Sequence, residues 1–177
     1  MRLIAIRHGE TDWNTEQRLQ GRSDIPLNGT GREQARAAAT SLPDGIDIIL
    51  ASPLVRAIET AGILNVRFGV PIVLDERLVE RDFGDFEGMY MADCDMVALR
   101  SWAANAPTPN GETLRDVGQR VAAFLGEVMQ TYDKQTVLLV AHGHVIRAIY
   151  WYCHLYPQRD EESVIETPPC GFYIFDL

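Results

Sequence analysis

Arg7, His8 and Gly9 follow directly on the apolar run Leu3-Ile4-Ala5-Ile6, and Glu10, Thr11 and Asp12 come next. A neutral imidazole can accept a phosphoryl group and pass it to water, splitting one hard displacement into two easier ones. A guanidinium fork matches the oxygens of phosphate, and backbone amides at a helix start attract anions. These residue types side by side therefore point to phosphate chemistry. Two further polar groups stand in the same relation to an apolar run. Ser52 to Arg56 follow residues 46–51 (IDIILA), and His142-Gly143-His144 follow residues 136–141 (TVLLVA).

Runs such as 3–6 and 136–141, apolar without alternation, are the pattern of strands buried on both faces of a parallel sheet. Residues 71–74 read as a short third strand, and 172–175, after Pro168 and Pro169, as a last strand at a sheet edge. Helices are expected to open at Glu10-Thr11-Asp12, to run over 33–42 with Asn28 or Thr30 as cap, and to run from a Ser52 cap and first-turn Pro53 to about Phe68. Others are expected over 93–104, from Glu112 to about Tyr132, and from Val145 to about Leu155. In the long one, Leu114, Val117, Val121, Phe124, Leu125 and Val128 fall three and four apart and bury one face. Strands alternating with helices imply an α/β fold, a three-layer α/β/α sandwich with a mainly parallel central sheet. Right-handed crossovers put every strand's carboxyl end on one rim, where ligands of such sheets bind. The groups after strands one, two and four must then converge there. No linker, repeat or low-complexity tract interrupts the chain, so residues 1–177 are expected to form one domain.

With 177 residues, 46% of them hydrophobic, the chain can build a proper core. A net charge of −9 argues against nucleic-acid or membrane-surface partners. No run approaches the roughly 18 continuous apolar residues of a membrane span, and the first strand leaves no room for a secretory leader. Cys94, Cys153 and Cys170 form neither a disulfide framework nor a CxxC pair. A cytoplasmic monomer or homodimer is expected. The histidines lack metal-ligand spacing and no carboxylate cluster suits Mg²⁺, so neither metal nor cofactor is expected.

Arg7-His8-Gly9-Glu10-Thr11 with Asn14 resembles the signature of the histidine phosphatase (phosphoglycerate mutase-like) superfamily. Further stretches are similar to that family's motifs: residues 21–27 (GRSDIPL), 52–61 (SPLVRAIETA), 78–88 (LVERDFGDFEG) and 141–147 (AHGHVIR). The resemblance implies that His8 is the phosphorylated nucleophile and that Arg7, Arg56, Asn14 and Gly143 hold the phosphate. It implies that His142 stabilises charge on the phosphoryl oxygens and that Glu80 is the general acid, with Asp82 and Glu87 as rivals. Arg22 and Ser23 are the expected substrate contacts. His144 stands where relatives often carry a small residue, so it either narrows the pocket and touches substrate or is an ordinary helix-start histidine. Phe86 replaces a frequent tryptophan and Asn28 a frequent threonine, while His154 is assigned to structure. Phe86, Tyr90 and Trp102, within residues 85–109, are available to wall the pocket.

Three functions compete: a phosphomonoesterase acting on a small phosphorylated metabolite, a phosphoglycerate-type mutase primed by a phosphorylated cofactor, and an idle phosphate-binding module. With Arg7, His8, Arg56, Glu80 and His142 all present, the idle module is disfavoured. The short segment between Glu80 and His142 favours the compact phosphatase branch over a mutase.

Overall fold

The computed structural model describes residues 1–154 and 165–177. The first strand, β1 (Arg2–Arg7), lies inside a five-stranded sheet and is buried on both faces. Leu3 and Ala5 enter one apolar cluster and Ile4 and Ile6 the other, which is why the run needs no polar alternation. Its parallel neighbour is β4 (Thr136–Ala141), which pairs in turn with β2 (Ile48–Ala51). On the far side of β2 lies the short β3 (Ile72–Leu74), and on the other side of β1 runs β5 (Phe172–Asp176). The order is β3-β2-β4-β1-β5, with β5 the antiparallel edge. The fold is the α/β/α sandwich expected from the sequence.

Helices α2 (Gly29–Ser41) and α3 (Val55–Phe68) cover one face of the sheet. The other is covered by α5 (Leu114–Thr131) and α6 (Gly143–Cys153). The six apolar residues of α5 picked out by their spacing are all buried. Asn28 caps α2, its side chain accepting the Gly31 amide at 2.8 Å. The expected end of α6 at Leu155 falls outside the described residues. Among the described residues no helix is long and apolar enough to cross a membrane.

Three expectations need correction. The helix expected over 93–104 shrinks to α4 (Met96–Arg100), because Asp95 caps it late and the chain turns at Ser101. Ser52 does not cap α3. The Val55 amide is taken instead by Asp24 at 2.7 Å, which frees the Ser52 hydroxyl for a histidine. The helix after β1, α1 (Asp12–Thr15), is a single turn closed by a Thr11–Asn14 capping box. Three amides just ahead of that turn are consumed internally: Gly9 donates to Thr60, Glu10 to Gln34 and Thr11 to Asn14.

Candidate active site

His8 leaves the end of β1 with 2% of its surface exposed. Its Nδ1 donates to the Gly9 carbonyl at 2.6 Å. A carbonyl can only accept, so the proton sits on Nδ1 and Nε2 is left as the lone-pair nitrogen. Burial first, then the cations Arg7 and Arg56, pushes the imidazole's pKa well below its usual range. The ring is neutral at pH 7, the state a nucleophile needs. Gly9 itself packs so closely on Gly31 that a Cβ on either would collide with the other strand of backbone.

Arg7 and Arg56 flank this ring. Arg56 is wholly buried and Arg7 half-buried, and each keeps a buried Nε with no hydrogen-bond partner among the described residues. Arg7 is steadied by one bond, Nη1 to the Thr167 carbonyl at 2.6 Å. Arg56 lies at the second position of α3 and donates to the carbonyls of Ser23 and Gly21 at 2.8 and 2.7 Å. Burial lowers the Arg56 pKa to about 10, so it stays a cation at neutral pH. Buried, unsatisfied N–H groups of fixed charge are costly unless an anion completes them.

His142 caps α6 at the end of β4, fully buried, its ring centroid 5.2 Å from that of His8. Its Nε2 meets the Ser52 hydroxyl at 2.8 Å, and its buried Nδ1 has no partner. Ser52 Oγ already accepts the Leu54 amide at 3.3 Å. With the Ser52 proton donated to Nε2, the imidazole proton falls on Nδ1. Burial, then Arg56 and His8, keeps this ring neutral too.

Glu80 follows the single 3₁₀ turn Glu76–Leu78. It accepts the Arg81 amide at 2.8 Å and the His144 amide at 3.2 Å, and the His144 Nδ1 lies 3.6 Å away. Burial pushes its pKa up, but His144 and His142, in their protonated forms, and the Arg81 amide outweigh that and hold it well below the usual carboxylate range. Glu80 is thus ionised at neutral pH. His144 itself is buried, edge-on to Phe83, with burial as the first cause of its lowered pKa.

Arg7, His8, Asn14, Arg56, Glu80, Gly143 and His144 all line one cleft. Asn14 serves two purposes. Its Oδ1 closes the α1 cap, which leaves the amide NH₂ end for a ligand. The Gly143 amide has no partner among the described residues, so the start of the 11-residue α6 offers an N–H to the same space. His142 stands beside His8 without forming part of the cleft wall.

Other expected residues are elsewhere. Arg22 and Ser23 give their amides to Glu87 at 2.7 and 2.9 Å, and the Arg22 side chain pairs with Glu112 at 3.1 Å. Neither lines the cleft. Glu87 is spent as the clamp on that loop, and Asp82 accepts the Gly84 amide at 2.7 Å. Of the three rival carboxylates, only Glu80 reaches the cleft.

The cover differs from expectation as well. Phe86 packs under it beside Leu19, Phe83 and Leu99, Tyr90 lies against the Arg18 guanidinium, and Trp102 packs on Trp151. Met91, Met96 and Arg100 face the cleft in their place. Sequence reasoning also missed Arg147, one helical turn beyond Gly143 and quoted only as part of a motif. For Arg100 no pattern in the sequence gave a signal.

A model of the histidine phosphatase superfamily, branch 1, matches residues 3–177. The chain belongs to that family. It is 44% identical over 148 residues to an uncharacterized phosphatase, PhoE, from Bacillus subtilis (strain 168), covering 83% of this chain and 74% of the relative. A 2,3-bisphosphoglycerate-dependent phosphoglycerate mutase of Cytophaga hutchinsonii is 35% identical over 159 residues, covering 83% and 74%. The fold superposes on a mycobacterial glucosyl-3-phosphoglycerate phosphatase solved with VO3, with a TM-score of 0.88 and 31% identity over 98% of this chain and 91% of that one. This histidine phosphatase therefore carries phosphatase- or mutase-type activity on small phosphorylated metabolites.

Proposed function

We propose that this histidine phosphatase is a phosphomonoesterase that works through a phosphohistidine at His8. The observation that carries the reading is the free Nε2 of a neutral, buried His8 in one cleft with two arginines whose Nε atoms lack partners among the described residues. In the first step Nε2 attacks phosphorus and the P–O bond to the organic group breaks. The electron pair leaves on the ester oxygen, and Glu80, having gained a proton as the phosphate enters, donates that proton to it. Arg7, Arg56 and the vacant Nδ1–H of His142 stabilise the charge spread over the equatorial oxygens. Glu80, now a carboxylate, takes a proton from water. The water oxygen attacks phosphorus, the N–P bond breaks, and its electron pair returns to Nε2. Inorganic phosphate forms and Glu80 regains its proton.

Hydrolysis is preferred to phosphoryl return because a mutase must shield the phosphohistidine from water. The cover between Glu80 and His142 consists of two 3₁₀ turns and the five-residue α4, which supports an open pocket. Rapid quenching with labelled substrate should trap acid-labile, alkali-stable label on His8, and His8→Ala should remove label and turnover with the fold intact. Label on another residue type, or unimpaired His8→Ala turnover, refutes the route. Incubation with 3-phosphoglycerate and bisphosphoglycerate should release phosphate without forming 2-phosphoglycerate. Isomerisation outrunning phosphate release would make the protein a mutase.

A further inference from the structure

The cleft holds more positive charge than one phosphate requires. Beyond Arg7 and Arg56, its wall includes Arg100 from α4 and Arg147 from α6. In this acidic chain, several arginines elsewhere find carboxylates: Arg77 pairs with Asp75 and Glu127, Arg32 with Glu59, Arg67 with Asp44. Arg18, also at the cleft, is taken by Glu16 at 2.6 Å. Arg100 has no hydrogen bond or ion pair among the described residues, and the buried Nε of Arg147 has no partner. Arg100 acts on both Arg147 and Arg7 as a like charge. Two more cations are thus crowded together with Glu80 as the one carboxylate on the wall among the described residues, an arrangement that a ligand anion would relieve.

The two arginine pairs are not one cluster. The cations felt at His8 are Arg7 and Arg56, whereas those felt at Arg147 are Arg100 and Arg7. Arg7 therefore stands between a phosphoryl centre at His8 and a second cationic centre. Arg147 lies four residues beyond Gly143, and helical side chains lean toward the N-terminus, so it projects over the same end of α6. Met91, Met96 and Phe83 supply the uncharged wall of the cleft.

We propose that Arg100 and Arg147 form a second anion subsite, and that the substrate is a small phosphomonoester carrying another acidic group, phosphate or carboxylate. This rests on the phosphomonoesterase reading and specifies its substrate class. Guanidinium forks accept either anion, so matched substrate pairs must separate them. Fructose 1,6-bisphosphate against fructose 6-phosphate tests a second phosphate, and 3-phosphoglycerate against glycerol 3-phosphate tests a carboxylate.

In wild type, kcat/KM should favour the more acidic member of at least one pair by roughly tenfold, the scale of one charge-assisted hydrogen bond. Arg147→Gln and Arg100→Gln should each collapse that preference ratio, chiefly through KM, and Arg147→Lys should restore part of it. A wild-type ratio near one for both pairs, or a ratio that neither substitution moves, overturns the subsite while leaving the hydrolase standing. If wild type hydrolyses none of the four esters, the phosphomonoesterase reading fails instead. Calorimetric titration of fructose 1,6-bisphosphate and 3-phosphoglycerate into His8→Ala then decides the subsite by itself. Binding roughly tenfold weaker in His8→Ala/Arg147→Gln supports it, and undiminished or undetectable binding of both refutes it.

Discussion

Replacing Glu80 by Gln separates the proton donor from the rest of the site. The amide is nearly isosteric, and its oxygen can still accept the Arg81 and His144 amides that hold the carboxylate at 2.8 and 3.2 Å. The fold should therefore survive with a loss of about 1 kcal/mol, the net worth of one hydrogen bond. What disappears is the transferable proton. Positioned acids contribute about 10²- to 10⁴-fold, or roughly 3–5 kcal/mol of barrier. Glycerol 3-phosphate, whose leaving alkoxide needs that proton, should lose this full factor in kcat/KM. p-Nitrophenyl phosphate, whose aryl oxide departs unaided, should lose less than about tenfold. The pH profile adds a second check. Glu80 on its own is ionised at neutral pH, so the proton must enter with the ester, whose second ionisation lies at about pH 6. Entry of the phosphate charge beside the carboxylate then raises its affinity for that proton. On the alkyl ester, wild-type kcat/KM should fall as pH rises above that value. Equal losses on both esters in Glu80→Gln, or a flat alkyl-ester profile from pH 5 to 8, would refute the assignment.

Burial holds the folded-state pKa values of His8, His142 and His144 below their usual 6.5. Below that pH the unfolded chain binds protons the folded one does not, so stability is fully present above about 6.5 and declines as pH falls toward the folded values. Urea denaturation between pH 7.5 and 5 should show this loss, and a gain in stability over that window would contradict it. Arg81, wholly buried, donates to the carbonyls of Leu99, Ala106 and Glu112 and so pins the cover. Arg81→Met should destabilise by about 3 kcal/mol or more and raise KM, and unchanged urea stability would remove that role. Gly9→Ala should reduce both the folded yield and turnover, because the new methyl meets the Gly31 backbone. A variant of normal stability and rate would show that the close approach is dispensable.

The buried strands were legible because apolar runs without alternation have few other uses. β4 falls on the expected residues, and β5 takes the expected edge. The face of α5 was legible for the same reason, since its burial repeats every three to four residues. What periodicity could not supply was the fate of individual polar groups. The Ser-Pro pair at 52–53 has the composition of a helix start, yet Asp24, remote in sequence, takes the first amide of α3. The amides at positions 9–11 look free from the local sequence alone, but Thr60, Gln34 and Asn14 reach them in the fold. Such partners depend on which elements pack together, and no local pattern encodes them.

The candidate site divides along the same line. His8, Arg56, Glu80 and His142 could be singled out because each follows an apolar run or its turn, and the sheet brings those ends to one rim. Arg22 and Ser23 carry equally suggestive side chains, but their loop is fastened from two sides. Glu87 takes its amides, and Arg56 takes the carbonyls of Gly21 and Ser23. A loop gripped in this way contributes by fixing Arg56, leaving that guanidinium's Nε as the group still unsatisfied. Arg56 therefore links loop and phosphate: two of its nitrogens are spent on carbonyls so that the third is held in place before any ligand arrives. Such preorganisation is what makes a buried cation useful to a developing negative charge, and it sets Arg56, five places past the end of β2, apart from the arginine on the exposed loop.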